Sequence, residues 1–347
     1  MRDEAAAEAT VRDIGEFALI ERLRGALPPE TVASDRLTIG IGDDAAIWRP
    51  TPGESLVVTT DGLVEGIHFR LDWTDRSSLG HKTLAVNLSD LAAMGAVPRL
   101  ATLTLGLRGD ERVGDLMAFY EGVGALARRT GVVIGGGDIV ASPTALTFHV
   151  TALGETRGGR ALLRSGARPG DLIAVSGTLG ASAAGMRLLT EPYESPRLNA
   201  TTADALIAAH LRPEPRLALG ALLLDMGATA AMDLSDGLFG DLPKVLAASG
   251  VSAKLRADAL PVAAAARALF PEEWLELATR GGEDYEILFT AAPGAFAAIR
   301  NAASRIDISL TAIGEIVAGE VSQTTLTMRG LDGVERPIVT GAFDHFR

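Results

Sequence analysis

Apolar residues along this chain switch repeatedly between helical and extended spacing. Phe17, Leu19, Ile20, Leu23 and Leu27 fall at helical intervals before Pro28-Pro29, which predicts a first helix over residues 14–27. Short β-like runs follow at 37–41 and 56–60. A long helical stretch over 78–96 ends before Pro98. Next come a strand over 100–107, a helix over 112–130 closed by Gly131, and strands over 132–134 and 144–154. Gly158-Gly159, the basic segment 160–168 and Pro169-Gly170 read as a connector. Beyond it, strands fit 172–176, 251–255, 286–290 and 310–316. Helices fit 181–189, 203–211, 216–226, 238–248 and the region of 272–279. This alternation predicts α/β architecture in two domains, 1–157 and 158–347.

Composition narrows the chemistry. With 347 residues, 47% hydrophobic and 22% charged, the chain can fill two cores. No apolar run approaches the roughly 20 residues that cross a bilayer. The start of the chain is acidic and Ala-rich, unlike a secretory signal, so a cytoplasmic location is expected. Cysteine is absent, which excludes disulfides, thiolate catalysis and zinc-thiolate or iron–sulfur sites. The histidines (His68, His81, His149, His210 and His345) are scattered. A net charge of −12 disfavours polynucleotide binding. Lysine is nearly absent, with only Lys82, Lys244 and Lys254.

Candidate chemistry lies in aspartates beside glycines at the ends of β-like runs. They are Gly42-Asp43-Asp44, Thr59-Thr60-Asp61-Gly62, Gly136-Gly137-Asp138 and Asp233-Leu234-Ser235-Asp236-Gly237. Each alone reads as a turn or helix cap; four together suggest ligand-binding loops at strand ends. Thr60-Asp61-Gly62-Leu63 is echoed by Ser235-Asp236-Gly237-Leu238, too short a likeness to define a repeat. Asp90 shares a helical stripe with Thr83, Asn87 and Met94 on a segment apolar on its other sides. No Lys or Arg lies one turn away, so the carboxylate needs a distant arginine or, as the better fit, a metal. Carboxylates and hydroxyls without a thiol or histidine set suit Mg²⁺ bridging protein to phosphates. The P-loop and protein-kinase signatures are missing.

Several blocks then resemble the thiamine-monophosphate kinase family. They are GIGDDAA (40–46), TTDGLVEGIHF (59–69), KTLAVNLSDLAAMGA (82–96), Gly136-Gly137-Asp138, RALLRSGARPGD (160–171), Asp233–Gly237, GGEDYE (281–286) and Phe343-Asp344-His345-Phe346. The resemblance implies the two-domain aminoimidazole ribonucleotide synthetase-like fold: a ferredoxin-like α/β N-terminal domain that forms a homodimer, and an α/β C-terminal domain. It implies ATP, several Mg²⁺ ions, and direct transfer of the γ-phosphoryl group to thiamine phosphate. It assigns Mg²⁺ ligation to Asp44 (with Asp43 as substitute), Thr59, Thr60, Asp61, Asp90, Asp138, Asp233 and Asp236. ATP contacts fall to Tyr120, Gly137, Asp138, Arg164 and Ser235, and thiamine phosphate contacts to His68, Glu283 and Phe343. Otherwise Tyr120 reads as a core aromatic, Arg164 as a solvated charge, His68 as a satisfied core histidine and Glu283 as a surface acid. The chain departs from the family at Ile139-Val140, where threonine is usual, and at Gly341-Ala342-Phe343, where a larger aromatic follows glycine directly. Relatives of the same fold that depend on cysteine or selenocysteine are excluded by composition. Aminoimidazole ribonucleotide synthetase itself and a non-catalytic nucleotide binder are the remaining alternatives.

Overall fold

The structure is a computed structural model that describes residues 8–191, 200–319 and 324–339. It divides into two compact units, one running to Leu91 and resuming over Val97–Gly159, the other taking Ala92–Ala96 and the chain from Arg160 onward.

In the first unit, short helices Val11–Ile14 and Glu16–Ala26 precede the small antiparallel pair β1 (Leu37–Ile39) and β2 (Ile47–Trp48). Then come β3 (Ser55–Val64), helix Arg76–Ala93, β4 (Val97–Leu107), helix Val113–Thr130, β5 (Val133–Ala141) and β6 (Thr147–Thr156). These strands form one sheet in the order β3-β6-β4-β5. β4 and β5 run parallel because a helix carries the chain back across the sheet, whereas β5 and β6 follow each other directly. The unit is therefore β-α-β-α-β-β. It differs from the expected ferredoxin-like β-α-β-β-α-β connectivity in where its second helix falls.

One sheet face is apolar: Val57 and Leu63 of β3, Phe148 and Val150 of β6, and Leu103 and Leu105 of β4 are all buried. Phe119 of helix Val113–Thr130 stacks on Phe148 with ring centroids 4.4 Å apart. Helix Arg76–Ala93 is buried over most of its circumference, as its composition predicts. The two helices touch backbone to backbone, since a Cβ on Gly80 would overlap the Phe119 carbonyl and one on Gly122 the Ser77 carbonyl. The opposite sheet face leaves Leu56 and Val58 exposed.

The second unit contains β7 (Leu172–Ser176), helices Ala181–Thr190, Ala200–Leu211 and Leu217–Met226, and β8 (Ala230–Asp233). Helix Leu238–Ser249, β9 (Val251–Arg256), helices Ala264–Leu269 and Trp274–Arg280, and β10 (Ile287–Ala291) follow. Helix Pro293–Ala303, β11 (Leu310–Ala318), β12 (Leu326–Arg329) and β13 (Glu335–Pro337) complete the described elements. The sheet order is β13-β12-β9-β11-β7-β10-β8. Its central strands are buried on both faces. Ile173 and Val175 join Met232, Leu238 and Leu242 in one core, while Ala174 joins Ala231, Phe289, Leu219 and Leu223 in the other.

Two strands run further than their sequence suggests. β3 continues through Asp61-Gly62 to Val64, and β5 continues through Gly136-Gly137-Asp138 to Ala141. The expectation that Asp61 and Asp138 end their strands is corrected here: both lie inside them. Their glycines serve close approach between strands rather than turning. A Cβ on Gly62 would strike the His149 ring, and one on Gly137 the Leu103 carbonyl. Asp233, by contrast, does end its strand.

Candidate functional site

Side chains alternate along β3, so Thr59 and Asp61 share the face that meets helix Arg76–Ala93. Thr59 Oγ1 donates to Asp90 Oδ2 at 2.5 Å, and Asn87 Oδ1 accepts the Asp61 backbone N–H at 3.0 Å. The helical stripe of Asn87 and Asp90 read from sequence is thus the stripe applied to this strand. Crowding by protein atoms, and secondarily the Asp90 carboxylate, pushes the Asp61 carboxyl up to about 6. Asp61 keeps an exposed surface, and solvent trims this effect without reversing it. Two mutually repelling carboxylates beside a hydroxyl are a donor set that a hard cation fits.

Thr60 points the other way, its Oγ1 donating to the Val150 carbonyl at 3.0 Å. Asp138 shares that opposite face, because Gly62, His149, Thr104 and Asp138 form one row across the sheet. Asp61 belongs to the next row, with Val150, Leu103 and Gly137. Asp61 and Asp138 also stand on opposite edge strands, about 14 Å apart at ordinary strand spacing. Hence the structure joins Thr59, Asp61 and Asp90, and separates them from Thr60 and Asp138 within this unit. Asp43 and Asp44 are exposed on the loop between β1 and β2, where Asp43 Oδ1 accepts the Asp44 N–H at 2.8 Å. That loop crosses β5, since a Cβ on Gly135 would lie 3.4 Å from that of Ala46.

His68 sits in the turn after β3 and accepts the Val64 N–H through Nδ1 at 3.1 Å, which assigns its proton to Nε2. Tyr120 is buried beside Phe119, and burial raises its hydroxyl pKa. Its place in this unit is that of a core aromatic.

In the second unit, Asp233 is buried at the end of β8, and the turn beyond it carries Ser235 and Asp236 to the start of helix Leu238–Ser249. Gly237 has φ 85°, a left-handed conformation that suits glycine, and a Cβ there would also crowd the Arg280–Gly281 backbone. The Asp236 N–H donates to Asp241 Oδ2 at 2.9 Å. Lys244 Nζ reaches Asp236 Oδ2 at 2.5 Å and Asp241 Oδ1 at 2.8 Å.

The GGEDYE segment packs against this turn through Glu283 N–H to Ser235 O at 2.8 Å and Tyr285 N–H to Leu234 O at 2.9 Å. Glu283 and Tyr285 have φ of 65° and 49°, strained for side-chain-bearing residues. Glu283 Oε2 lies 3.4 Å from Nδ1 of the buried His210, which is also 3.1 Å from Ser182 Oγ. Asp284 accepts the N–H groups of Gly180 and Ser182 at 2.7 and 3.1 Å, capping helix Ala181–Thr190; burial nonetheless pushes its carboxyl up to about 7. Glu286 pairs with Arg216 through two hydrogen bonds of 2.8 and 2.5 Å. Arg164 is exposed, and its carbonyl accepts from Ser249 Oγ at 3.2 Å. Phe343 lies outside the described residues.

Sequence reasoning missed Lys244, Asp241, Asp284 and His210. Lys244 had a signal in the scarcity of lysine. His210 had none, because a buried histidine is ordinary in a core.

Among the described residues, no group of three or more His, Cys, Asp or Glu side chains gathers to hold a metal unaided.

Two consecutive matches define the class. Residues 42–156 match the AIR synthase related protein N-terminal domain, and 168–326 match the corresponding C-terminal domain, so the chain belongs to that family. Within it, the chain belongs to the thiamine-monophosphate kinases. It is 41% identical over 307 residues to thiamine-monophosphate kinase of Escherichia coli strain K12, covering 88% of this chain and 91% of that one. A crystal structure of the enzyme from Stenotrophomonas maltophilia K279a superposes with a TM-score of 0.79 at 42% identity, covering 88% of this chain and 95% of the other. A structure described as AaThiL complexed with AMPPCP and TMP gives a TM-score of 0.73 at 31% identity, covering 96% and 97%.

Proposed function

We propose that this chain transfers the γ-phosphoryl group of ATP directly to the phosphate of thiamine phosphate, yielding thiamine diphosphate and ADP, with Mg²⁺ as the required cation. The observation that carries the Mg²⁺ reading is the grouping of Asp61 and Asp90, two carboxylates that repel each other and are ordered by Thr59 and Asn87. Family membership and the relative described with AMPPCP and TMP support the substrates.

Phosphoryl transfer between two anionic reactants needs positioning and charge neutralisation more than a protein nucleophile. When bound, Mg²⁺ supplies that neutralisation. The protein's share is to hold its donors ready: Thr59 fixes one oxygen of Asp90, and Asn87 fixes the backbone of Asp61. In this reading Asp44, Asp138, Thr60, Asp233 and Asp236 serve the cations, and Asp138, Gly137, Ser235 and Arg164 contact ATP. His68 and Glu283 recognise thiamine phosphate. Glu283 is fitted to that role by being held in a strained conformation beside His210, a state a protein keeps where a side chain must be aimed.

The protein acts as a homodimer in this reading, through the sheet face that leaves Leu56 (45%), Val58 (61%) and Val140 (45%) exposed. A cytoplasmic location follows from composition; among the described residues no helix is long and apolar enough to cross a membrane.

The decisive experiment measures ADP and thiamine diphosphate from purified protein. Equal amounts, abolished by chelating Mg²⁺ and absent with formylglycinamidine ribonucleotide as acceptor, are expected. ADP release without thiamine diphosphate would refute the proposal.

A further inference from the structure

Asp236 carries a cation already, and it belongs to the chain. Lys244 stands on helix Leu238–Ser249 with its ammonium at hydrogen-bonding distance from both Asp236 and Asp241. The two carboxylates are unequal partners. Asp241 is fully buried, and its second oxygen is occupied by the Asp236 N–H, so it cannot follow the lysine elsewhere. Asp236 is partly exposed at a glycine turn, and the lysine side chain keeps 34% of its surface, which leaves the ammonium room to move. An ammonium and a divalent ion on the same carboxylate would face each other as like charges at close range.

We propose that Lys244 is an internal counter-cation that competes with the divalent ion for Asp236, withdrawing onto Asp241 when the ion arrives. This rests on the reading of Asp236 as a metal ligand. The buried Asp241 is what makes the exchange feasible. It keeps the displaced ammonium paired, so neither charge is left desolvated and alone. The consequence is a site held in order without metal yet weak toward the free ion, one that fills when nucleotide phosphates add their own oxygens. Lys244 is thus a positioning residue that sets the threshold of cation binding.

The test is titration of the full-length protein with Mn²⁺, following free Mn²⁺ by electron paramagnetic resonance without nucleotide. Lys244→Met is expected to bind Mn²⁺ about tenfold tighter at one site. Because this variant strands a buried carboxylate, Lys244→Met/Asp241→Asn is measured beside it, with a thermal melt of each to confirm folding. Tighter Mn²⁺ binding in a folded variant supports the proposal. Unchanged or weaker Mn²⁺ binding in the folded variants overturns it, as does a loss of ATP affinity at unchanged Mn²⁺ affinity, which would make Lys244 a phosphate contact. Asp236→Asn separates the two layers. If it retains the full Mn²⁺ stoichiometry, the metal role of Asp236 itself fails. If it loses one ion while Lys244→Met changes nothing, only the competition fails.

Discussion

Asp61 shows how one residue can be read by its discomfort. Its carboxyl is pushed up to about 6 by crowding and by Asp90, so ionising it in the folded protein carries a cost that an arriving cation removes. Asp61→Asn should therefore lower kcat by about 100-fold or more while the thermal midpoint at pH 8 stays equal or rises; a folded variant with near-normal turnover would exclude the metal role. The sign of the pH effect follows from the same shift. Below about pH 6 the proton competes with the ion, so Mg²⁺ affinity should climb about tenfold between pH 5 and 7 and level off above. A flat profile by calorimetry would disagree. Asp284 provides a second case. Its folded carboxyl titrates at about 7 against an ordinary 3.8, so the native state holds a proton the unfolded chain has lost. Its contribution is present below about pH 4 and disappears as pH rises through 7. Asp284→Asn should flatten the dependence of the melting temperature on pH across that window.

At the scale of elements, helix Arg76–Ala93 is the frame that matters. It carries Asn87 and Asp90 on the stripe facing β3, and its approach to helix Val113–Thr130 is set by Gly80 and Gly122. Both glycines meet carbonyl groups of the opposite helix, which cannot swing aside as a side chain could. Gly122→Ala should cost about 2–4 kcal/mol in chemical denaturation, and the lost order at Asp90 should weaken Mg²⁺ binding as well. Full stability in that variant would show that the helices can part without penalty.

Considered as a whole, the chain is acidic. A net charge of −12 sits on a protein whose proposed substrates are both anions, a combination that divalent cations reconcile. The open sheet face of the first unit is the surface assigned to a second copy. Val58→Glu places a charge on the most exposed of its apolar residues named above and should convert the proposed dimer to monomer in analytical ultracentrifugation. An unchanged sedimentation coefficient would move the interface elsewhere.

Local patterning was enough to place most helices, because burial imposes its period on the residues that bear it. The apolar circumference of 78–96 announced a buried helix. Helix Pro293–Ala303, absent from the elements expected above, carried its own signs in Pro293 at the first turn and in Phe296, Ile299 and Ala303 at helical intervals. Which carboxylates meet was beyond any local rule. Asp61-Gly62 reads as a turn until His149, 87 positions further on, is seen to need the space a side chain would fill. Asp61 and Asp138 look equivalent as Asp beside Gly, yet strand register sends them to opposite faces. The pairing of Lys244 with Asp236 and Asp241 depends on a helix starting at one particular residue. Residue types and their order therefore determined the family, the elements and the kind of chemistry. Face, edge and neighbour were decided by the tertiary structure, because they depend on register and on contacts between segments far apart in the chain.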